Sequence, residues 1–115
     1  MLTDEQYVYI VEGAEDMELD AIWDYFAHPF GTRRLSHKLE SFTSRRDGFL
    51  WVVERLLKEK RIVLVDIRTH TPLVGSIESQ IKGFRAAFPA DDAGMDNGLW
   101  FFSPECPGGS AWQHE

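Results

Sequence analysis

The segment FLWVVERLLKEKRIVLVDI, residues Phe49–Ile67, contains two different hydrophobic patterns in direct succession. In its first half, apolar side chains recur every three or four residues, which is the period of an amphipathic helix. Its second half, Arg61–Ile67, is almost continuously apolar and β-branched, which is typical of a strand covered on at least one face. Ser44–Asp47 precedes both halves and is a helix N-cap signal. The segment therefore predicts a helix that leads into a strand.

Other stretches of the chain also have helical patterns. The first two are out of phase with each other, which predicts a break around residues 13–16. Proline ends the second stretch at His28-Pro29 and the last one at Pro89, because the residue before proline avoids helical geometry. Four further helices are therefore predicted. The first begins with a capping box at Thr3–Gln6, the second spans Leu19–Phe26, the third is short and basic and spans Leu35–Phe42, and the fourth is capped by Ser76 and ends at Phe88.

The C-terminal region combines aromatic residues with turn residues. Leu99–Phe102 is too short and too aromatic for a helix, and Ser110–Gln113 follows a loop rich in proline and glycine. These two stretches predict a hairpin that adds two strands to the strand at Arg61–Ile67. We expect both faces of the hairpin to be core, whereas an uncovered face would favour a homodimer. The predicted fold is α+β, with four or five helices on a small, mainly antiparallel sheet of about three strands.

Length and composition predict one folded domain spanning residues 1–115. The chain has 43% apolar residues and a net charge of -7, which is compatible with a hydrophobic core. No apolar run approaches the length of a membrane helix, and the first residues are acidic where a signal peptide is basic and then apolar. A single cysteine agrees with a reducing compartment. We expect a cytoplasmic protein that does not interact with a membrane.

Charge is unevenly distributed along the sequence. Residues 1–32 hold eight acids and no lysine or arginine, residues 33–61 hold nine bases, and residues 86–115 hold five acids and no base. The basic segment 33–61 has two interpretations: a nucleic-acid-binding patch that includes Arg33, Arg34, Lys38, Arg45 and Arg46, or a segment that neutralises the acidic N-terminal helices. We favour neutralisation, because a protein with a pI near 5.0 lacks the positive field that phosphate binding requires.

The sequence contains only weak patterns of the kind that indicate a catalytic site. Cys106 and His114 are the candidates for a nucleophile and base, but no nearby base or helix N-terminus acts on the cysteine. The four histidines lack the spacing of metal ligands, and the glycine pairs lack the lysine of a phosphate loop. We therefore expect no enzymatic activity, no catalytic residues, no metal and no cofactor, and a cysteine enzyme stays as an alternative.

The acidic residues Asp91, Asp92, Asp96 and Glu105 lie in a stretch rich in glycine and proline that contains no base. One interpretation is a solvated loop. The other is a negative surface that attracts a basic partner and raises its association rate. We take these four residues as the candidate partner-binding site, and we expect the N-terminal acids Glu12, Glu15, Asp16, Glu18 and Asp20 to extend the same field.

The order of elements in the C-terminal half carries a resemblance. Its components are a helix over Asp47–Lys58, a strand, Gly75–Glu78 opening the next helix, Phe88-Pro89, Met95–Phe102 and Cys106–Trp112. This order resembles a small uncharacterised bacterial domain family, and it is similar to the acidic immunity proteins encoded beside polymorphic or contact-dependent toxins. The resemblance covers residues 45–113. It implies a cytoplasmic α+β protein without enzymatic activity that neutralises a cognate basic toxin, and it brings no site residues with it.

Overall fold

The protein is described here by a computed structural model, which covers residues 2–27 and 41–114. Helices dominate the described part, and two short strands form the sheet. The elements in chain order are α1 (Asp4–Ala14), α2 (Leu19–Ala27), α3 (Phe42–Lys58), β1 (Ile62–Val65), α4 (Ile77–Ala87), α5 (Asp92–Met95), a 3₁₀ helix (Asp96–Phe102) and β2 (Gly109–Trp112). The α+β class agrees with the sequence-based prediction, and the described residues contain five α-helices, of which α5 was not predicted.

Local capping signals place the helix ends. The predicted capping box is present at α1, where Thr3 Oγ1 accepts from Gln6 N and Gln6 Oε1 accepts from Thr3 N. Ser76 caps α4 as predicted. Helix α3, however, begins at Phe42, because Ser41 Oγ accepts the amide of Ser44. The predicted cap at Ser44 is therefore wrong, and the predicted helix over Leu35–Phe42 lies outside the described residues except at its end.

The sheet has fewer strands than predicted. β1 and β2 pair antiparallel, with Ile62 opposite Trp112 and Val65 opposite Gly109. Leu99–Phe102 contributes no strand, so the predicted hairpin is wrong and the sheet of the described residues has two strands. On the other edge of β1, Leu64 O accepts a hydrogen bond from Leu73 N, which protects part of that edge.

Backbone geometry explains why Leu99–Phe102 is a 3₁₀ helix. Asp96, Asn97 and Gly98 all have positive φ values and turn the chain just before it. The helix then presents the adjacent side chains of Trp100 and Phe101 to the core, where they are 7% and 3% exposed. In an extended strand these neighbours would point to opposite faces. The hydrophobic gain of burying both aromatic rings on one side of the segment thus favours the helical turn.

The buried apolar residues form one hydrophobic cluster with Phe49 of α3 near its centre. Phe49 is completely buried, and its ring centroid lies 5.8 Å from those of Trp23 and Phe88 and 5.3 Å from that of Phe101. These rings belong to α2, to the end of α4 and to the 3₁₀ helix. One side chain therefore joins the N-terminal helices to the C-terminal segment.

The turn between α1 and α2 packs against β2. Met17 O accepts hydrogen bonds from Ser110 Oγ at 3.3 Å and from Trp112 Nε1 at 2.8 Å. Trp112 is partly buried and satisfies its indole N–H in this way. These bonds fix the position of the turn that carries Glu18. None of the helices in the described ranges has both the length and the apolarity that a bilayer crossing requires.

Gly48 allows α2 and α3 to approach closely. A methyl group at this buried position would lie 2.8 Å from Cε1 of Phe26, which is itself buried. We expect Gly48→Ala to lower the free energy of unfolding by about 1–3 kcal/mol, because the overlap forces the helices apart or the ring off its rotamer. Urea denaturation followed by circular dichroism measures this change.

Gly83 of α4 is the matched control for this substitution. It is exposed, and a methyl group there would meet no atom within 4 Å. Gly83→Ala is expected to raise the free energy of unfolding by up to about 1 kcal/mol, since alanine favours helix more than glycine does. Equal effects of the two substitutions would contradict the close packing of α2 on α3.

Candidate functional site

The four predicted site residues are all exposed, and they lie on consecutive elements. Asp91 and Asp92 are at the start of α5, Asp96 begins the 3₁₀ helix, and Glu105 lies in the loop that follows it. Helix α5 and the 3₁₀ helix contact each other. We name these four residues the acidic surface.

Two of the four residues have roles in folding that the sequence did not indicate. Asp91 caps α5, because its Oδ1 accepts from Gly94 N at 3.0 Å. Both carboxylate oxygens of Asp92 accept hydrogen bonds from the guanidinium of Arg45, at 2.7 and 2.6 Å. The premise that no base compensates these acids is therefore wrong for Asp92.

Arg45 is nearly buried in α3, with 7% of its surface exposed. The Nε atom of Arg45 has no hydrogen-bond partner in the described part of the protein. The counter-charge of the Arg45 guanidinium is the carboxylate of Asp92. The hydrogen bonds from Arg45 hold the pKa of Asp92 below its usual range, although partial burial opposes this shift. Asp92 thus joins the acidic surface to the helical core.

Asp96 and Glu105 differ from the first two acids. Neither makes a side-chain hydrogen bond or an ion pair with any residue in the ranges 2–27 and 41–114. Their charges are therefore not compensated locally. Of the acidic surface, these two carboxylates are the ones available to an external partner.

Of the five N-terminal acids expected to extend the acidic field, Glu18 and Asp20 lie near the segment that carries it, whereas Glu12 lies on α1. A methyl group on Gly109 would lie 3.6 Å from Oε2 of Glu18, and one on Gly98 would lie 3.6 Å from Cβ of Asp20. Glu18 and Asp20 therefore stand beside β2 and the 3₁₀ helix. Other N-terminal acids pair elsewhere: Glu15 with Arg61, and Asp16 with His114.

A groove that sequence reasoning missed opens next to the acidic surface. One wall is the turn after β1, residues 66–68, and the other is formed by residues 102–104, 106 and 107, which enclose about 490 Å³. We name it the C-terminal groove. Its two walls are far apart in sequence, so no local pattern could have indicated it. Phe102 and Ile67 remain 51% and 38% exposed on its walls.

The described bases of segment 33–61 are mostly paired with acids of the same protein. Arg55 binds Asp4 of α1 and Glu59, and Arg61 binds Glu15. These pairs agree with the interpretation that the segment neutralises the acidic N-terminal helices. The nucleic-acid alternative now depends on Arg33, Arg34 and Lys38, which lie outside the described residues.

Cys106 and His114 have separate partners. The Cys106 thiol is 6% exposed and donates to Gly108 O at 3.3 Å, and burial raises its pKa to about 11. His114 Nε2 bonds Asp16, which raises the pKa of the imidazole. No hydrogen bond joins the thiol to the imidazole, and the thiol lacks the lowered pKa of a nucleophilic cysteine. Within the described ranges, no cluster of three potential metal ligands occurs.

The fold and site thus define a small α+β protein with an acidic surface and a groove that is lined by both apolar and polar residues. The family described as "Protein of unknown function, DUF596" matches residues 57–115, which is half of the chain. The chain therefore belongs to this family, and the predicted resemblance to a small uncharacterised family is confirmed at that level.

A solved structure shows the same fold. It is an uncharacterized protein conserved in bacteria, from Neisseria meningitidis, with a TM-score of 0.69 and 18% sequence identity. The match covers 96% of this chain and 78% of that chain. At this identity the likeness concerns the fold alone. A search of the curated proteins found no match, and neither similarity carries an immunity function.

The pairing of Asp92 with Arg45 can be tested by removing the negative charge. We expect Asp92→Asn to lower the free energy of unfolding by about 1–3 kcal/mol at pH 7, since a buried guanidinium loses its charged hydrogen-bond partner. Asp96→Asn is the matched control and should change it by less than about 0.5 kcal/mol, because Asp96 has no partner to lose. Urea denaturation of the three proteins measures both effects.

The same pair predicts a pH dependence. Because the pKa of Asp92 is lower in the folded protein, its contribution to stability is present above the ordinary aspartate pKa and is lost as the pH falls through the lowered value. The difference between wild type and Asp92→Asn should therefore disappear in acid. A difference that is unchanged at a pH below both pKa values would contradict the assignment.

The thiol of Cys106 is expected to be unreactive in the folded protein. With its pKa raised to about 11, the thiolate is rare at pH 8, so alkylation by iodoacetamide should be at least about a hundredfold slower than that of glutathione. Mass spectrometry over time measures this rate, and the protein unfolded in guanidinium serves as the control. Native labelling as fast as that of glutathione would support the cysteine-enzyme alternative.

Proposed function

We propose that the protein is a non-catalytic binding module that neutralises a basic protein through its acidic surface. The observation that carries the proposal is that the arginines form ion pairs within the protein whereas two exposed carboxylates do not. Arg45, Arg55 and Arg61 are paired within the protein, whereas Asp96 and Glu105 are exposed and have no partner among the described residues. The net charge of -7 has the sign that attracts such a partner.

Electrostatic steering is the main effect of such a surface. Exposed carboxylates attract a basic partner over about one Debye length, roughly 10 Å at 0.1 M salt, and mainly raise its association rate. Glu18 and Asp20 lie beside the same segment and add to the field. Within the acidic surface, Asp91 and Asp92 contribute charge while they also support α5 and Arg45.

The specific form of the proposal is an immunity protein that acts in the cytoplasm on a cognate basic toxin. Its support is the small size of the chain, its acidity, its membership of a family without an assigned function, and the resemblance of its C-terminal half to acidic immunity proteins. In this role, the acidic surface covers the basic substrate-binding face of the toxin and thereby blocks its action.

The test takes as the candidate partner the product of a gene adjacent to the gene for this chain, chosen for a basic isoelectric point. Immobilised partner is mixed with wild type or with the double variant Asp96→Asn, Glu105→Gln, which leaves the cap at Asp91 and the pair at Asp92 intact. At 50 mM salt we expect the association rate constant of the double variant to fall at least fivefold, and at 500 mM salt the two proteins should become similar. Biolayer interferometry measures both rates.

The control is Glu5→Gln, Glu12→Gln on α1, which removes the same charge from another exposed surface. It should keep the association rate of wild type within about twofold, because the lost charges are not at the interface. Co-expression should also protect cells from the neighbouring protein. Failure of that protein to bind, or equal effects of the two double variants, would contradict the proposal.

A further inference from the structure

Three of the seven exposed large apolar side chains of the described protein, Ile67, Leu99 and Phe102, lie on the turn after β1 and on the 3₁₀ helix. Leu99 and Phe102 are 60% and 51% exposed, and Ile67 faces Phe102 across the C-terminal groove. Leu99 and Phe102 lie three residues apart, so they share one face of the 3₁₀ helix. A contiguous exposed apolar patch on a small protein marks a binding surface more often than single exposed residues do.

The shape of the C-terminal groove limits what it can hold. Its volume of about 490 Å³ is sufficient for a large side chain and part of its backbone. Phe102, Ile67 and the prolines form the apolar part of its walls, whereas Asp66, Arg68 and Ser103 form a polar part of similar extent. The apolar part of the groove therefore fits an aromatic or large aliphatic side chain, and the polar part can contact polar groups next to it.

The charges around the groove select the partner that presents this side chain. In the sequence, Glu105 lies between two residues of the groove wall. Glu18 lies near Ile67, because Oε2 of Glu18 and Cγ1 of Ile67 would both be within 4 Å of a methyl group placed on Gly109. Asp66 stays ionised, because the amides of Thr69 and Arg68 bond its carboxylate and lower its pKa. Among the residues that the structure describes, Arg68 is the one cation that lines the groove.

The balance of charge around the groove is negative. A second copy of this chain would bring the same acids to the interface and be repelled, whereas a basic protein is complementary to it.

We propose that the C-terminal groove binds a large apolar side chain of the basic partner, and that lysines or arginines flanking this side chain contact Glu105 and Asp96. The inference rests on the proposed function and adds the anchor of the interface. The two parts act differently: the acids control association, whereas the apolar side chain buried between Phe102 and Ile67 slows dissociation.

The test uses two synthetic peptides of equal charge, acetyl-Lys-Lys-Trp-Lys-Lys-amide and acetyl-Lys-Lys-Gly-Lys-Lys-amide. Titration of the ¹⁵N-labelled protein at 20 mM salt gives both dissociation constants and the amides that shift. We expect the tryptophan peptide to bind at least tenfold more tightly, with shifts centred on Ile67, Phe102 and Cys106. The variant Asp96→Asn, Glu105→Gln should weaken both peptides by the same factor.

Phe102→Ala should remove the preference for the tryptophan peptide while it leaves the affinity for the glycine peptide unchanged. Because Phe102 is half exposed, this truncation should fold normally, which circular dichroism verifies. Val74→Ala is the matched control, since Val74 is 91% exposed and does not line the C-terminal groove. It should keep the full preference.

The other outcomes overturn the inference in distinguishable ways. Equal affinity for the two peptides, with loss of both in Asp96→Asn, Glu105→Gln, would overturn the apolar anchor and leave the proposed function standing. Tighter binding of the tryptophan peptide, with amide shifts that lie away from the groove, would likewise overturn the apolar anchor and leave the proposed function standing. Self-association that Phe102→Ala abolishes would replace the basic partner with a second copy, and absence of any binding at millimolar peptide would overturn both proposals.

Discussion

The packing of Phe49 is the constraint on which the rest of the structure depends. Its ring is fully buried and contacts aromatic rings from α2, from α4 and its C-terminal end, and from the 3₁₀ helix. A sheet of two four-residue strands offers little surface for helices to pack on, so the helices pack largely on one another, and this aromatic cluster joins α2, α3, α4 and the 3₁₀ helix. The 3₁₀ helix adopts its unusual path because two adjacent aromatic residues must enter that cluster.

The candidate site is a consequence of the same packing. Once Trp100 and Phe101 are directed into the core, the residues on either side, Leu99 and Phe102, are directed to solvent. Phe102 then forms one wall of the C-terminal groove, and Asp96, in the left-handed turn at residues 96–98, begins the same 3₁₀ helix. The exposed apolar residues and the unpaired acids therefore lie together because one short segment carries both.

Charge pairing decides which acids remain available. Arg45, Arg55 and Arg61 each bind a carboxylate that is distant in sequence, so the basic middle of the chain neutralises its acidic neighbours. Asp96, Glu105 and Glu18 form no ion pair with a base of the described residues, although Arg68 lines the groove that Glu105 adjoins. The result is a protein whose described surface is negative in one region because its bases are used elsewhere, which is the feature that a basic partner would recognise.

The sequence by itself determined the elements whose signals are local. The capping residues Thr3, Gln6 and Ser76, the helical period around Phe49 and the β-branched run at Ile62–Val65 all act within a few residues. Helices α1, α2 and α4, the body of α3, strand β1 and the α+β class could therefore be predicted, whereas α5 and the 3₁₀ helix were not. Tertiary structure alone decided the partner of β1, the conformation of Leu99–Phe102, the bond between Asp92 and Arg45, and the C-terminal groove. These features depend on residues that meet only when the core closes, and the free energy of burying Trp100 and Phe101 outweighs the local preference of an aromatic segment for a strand.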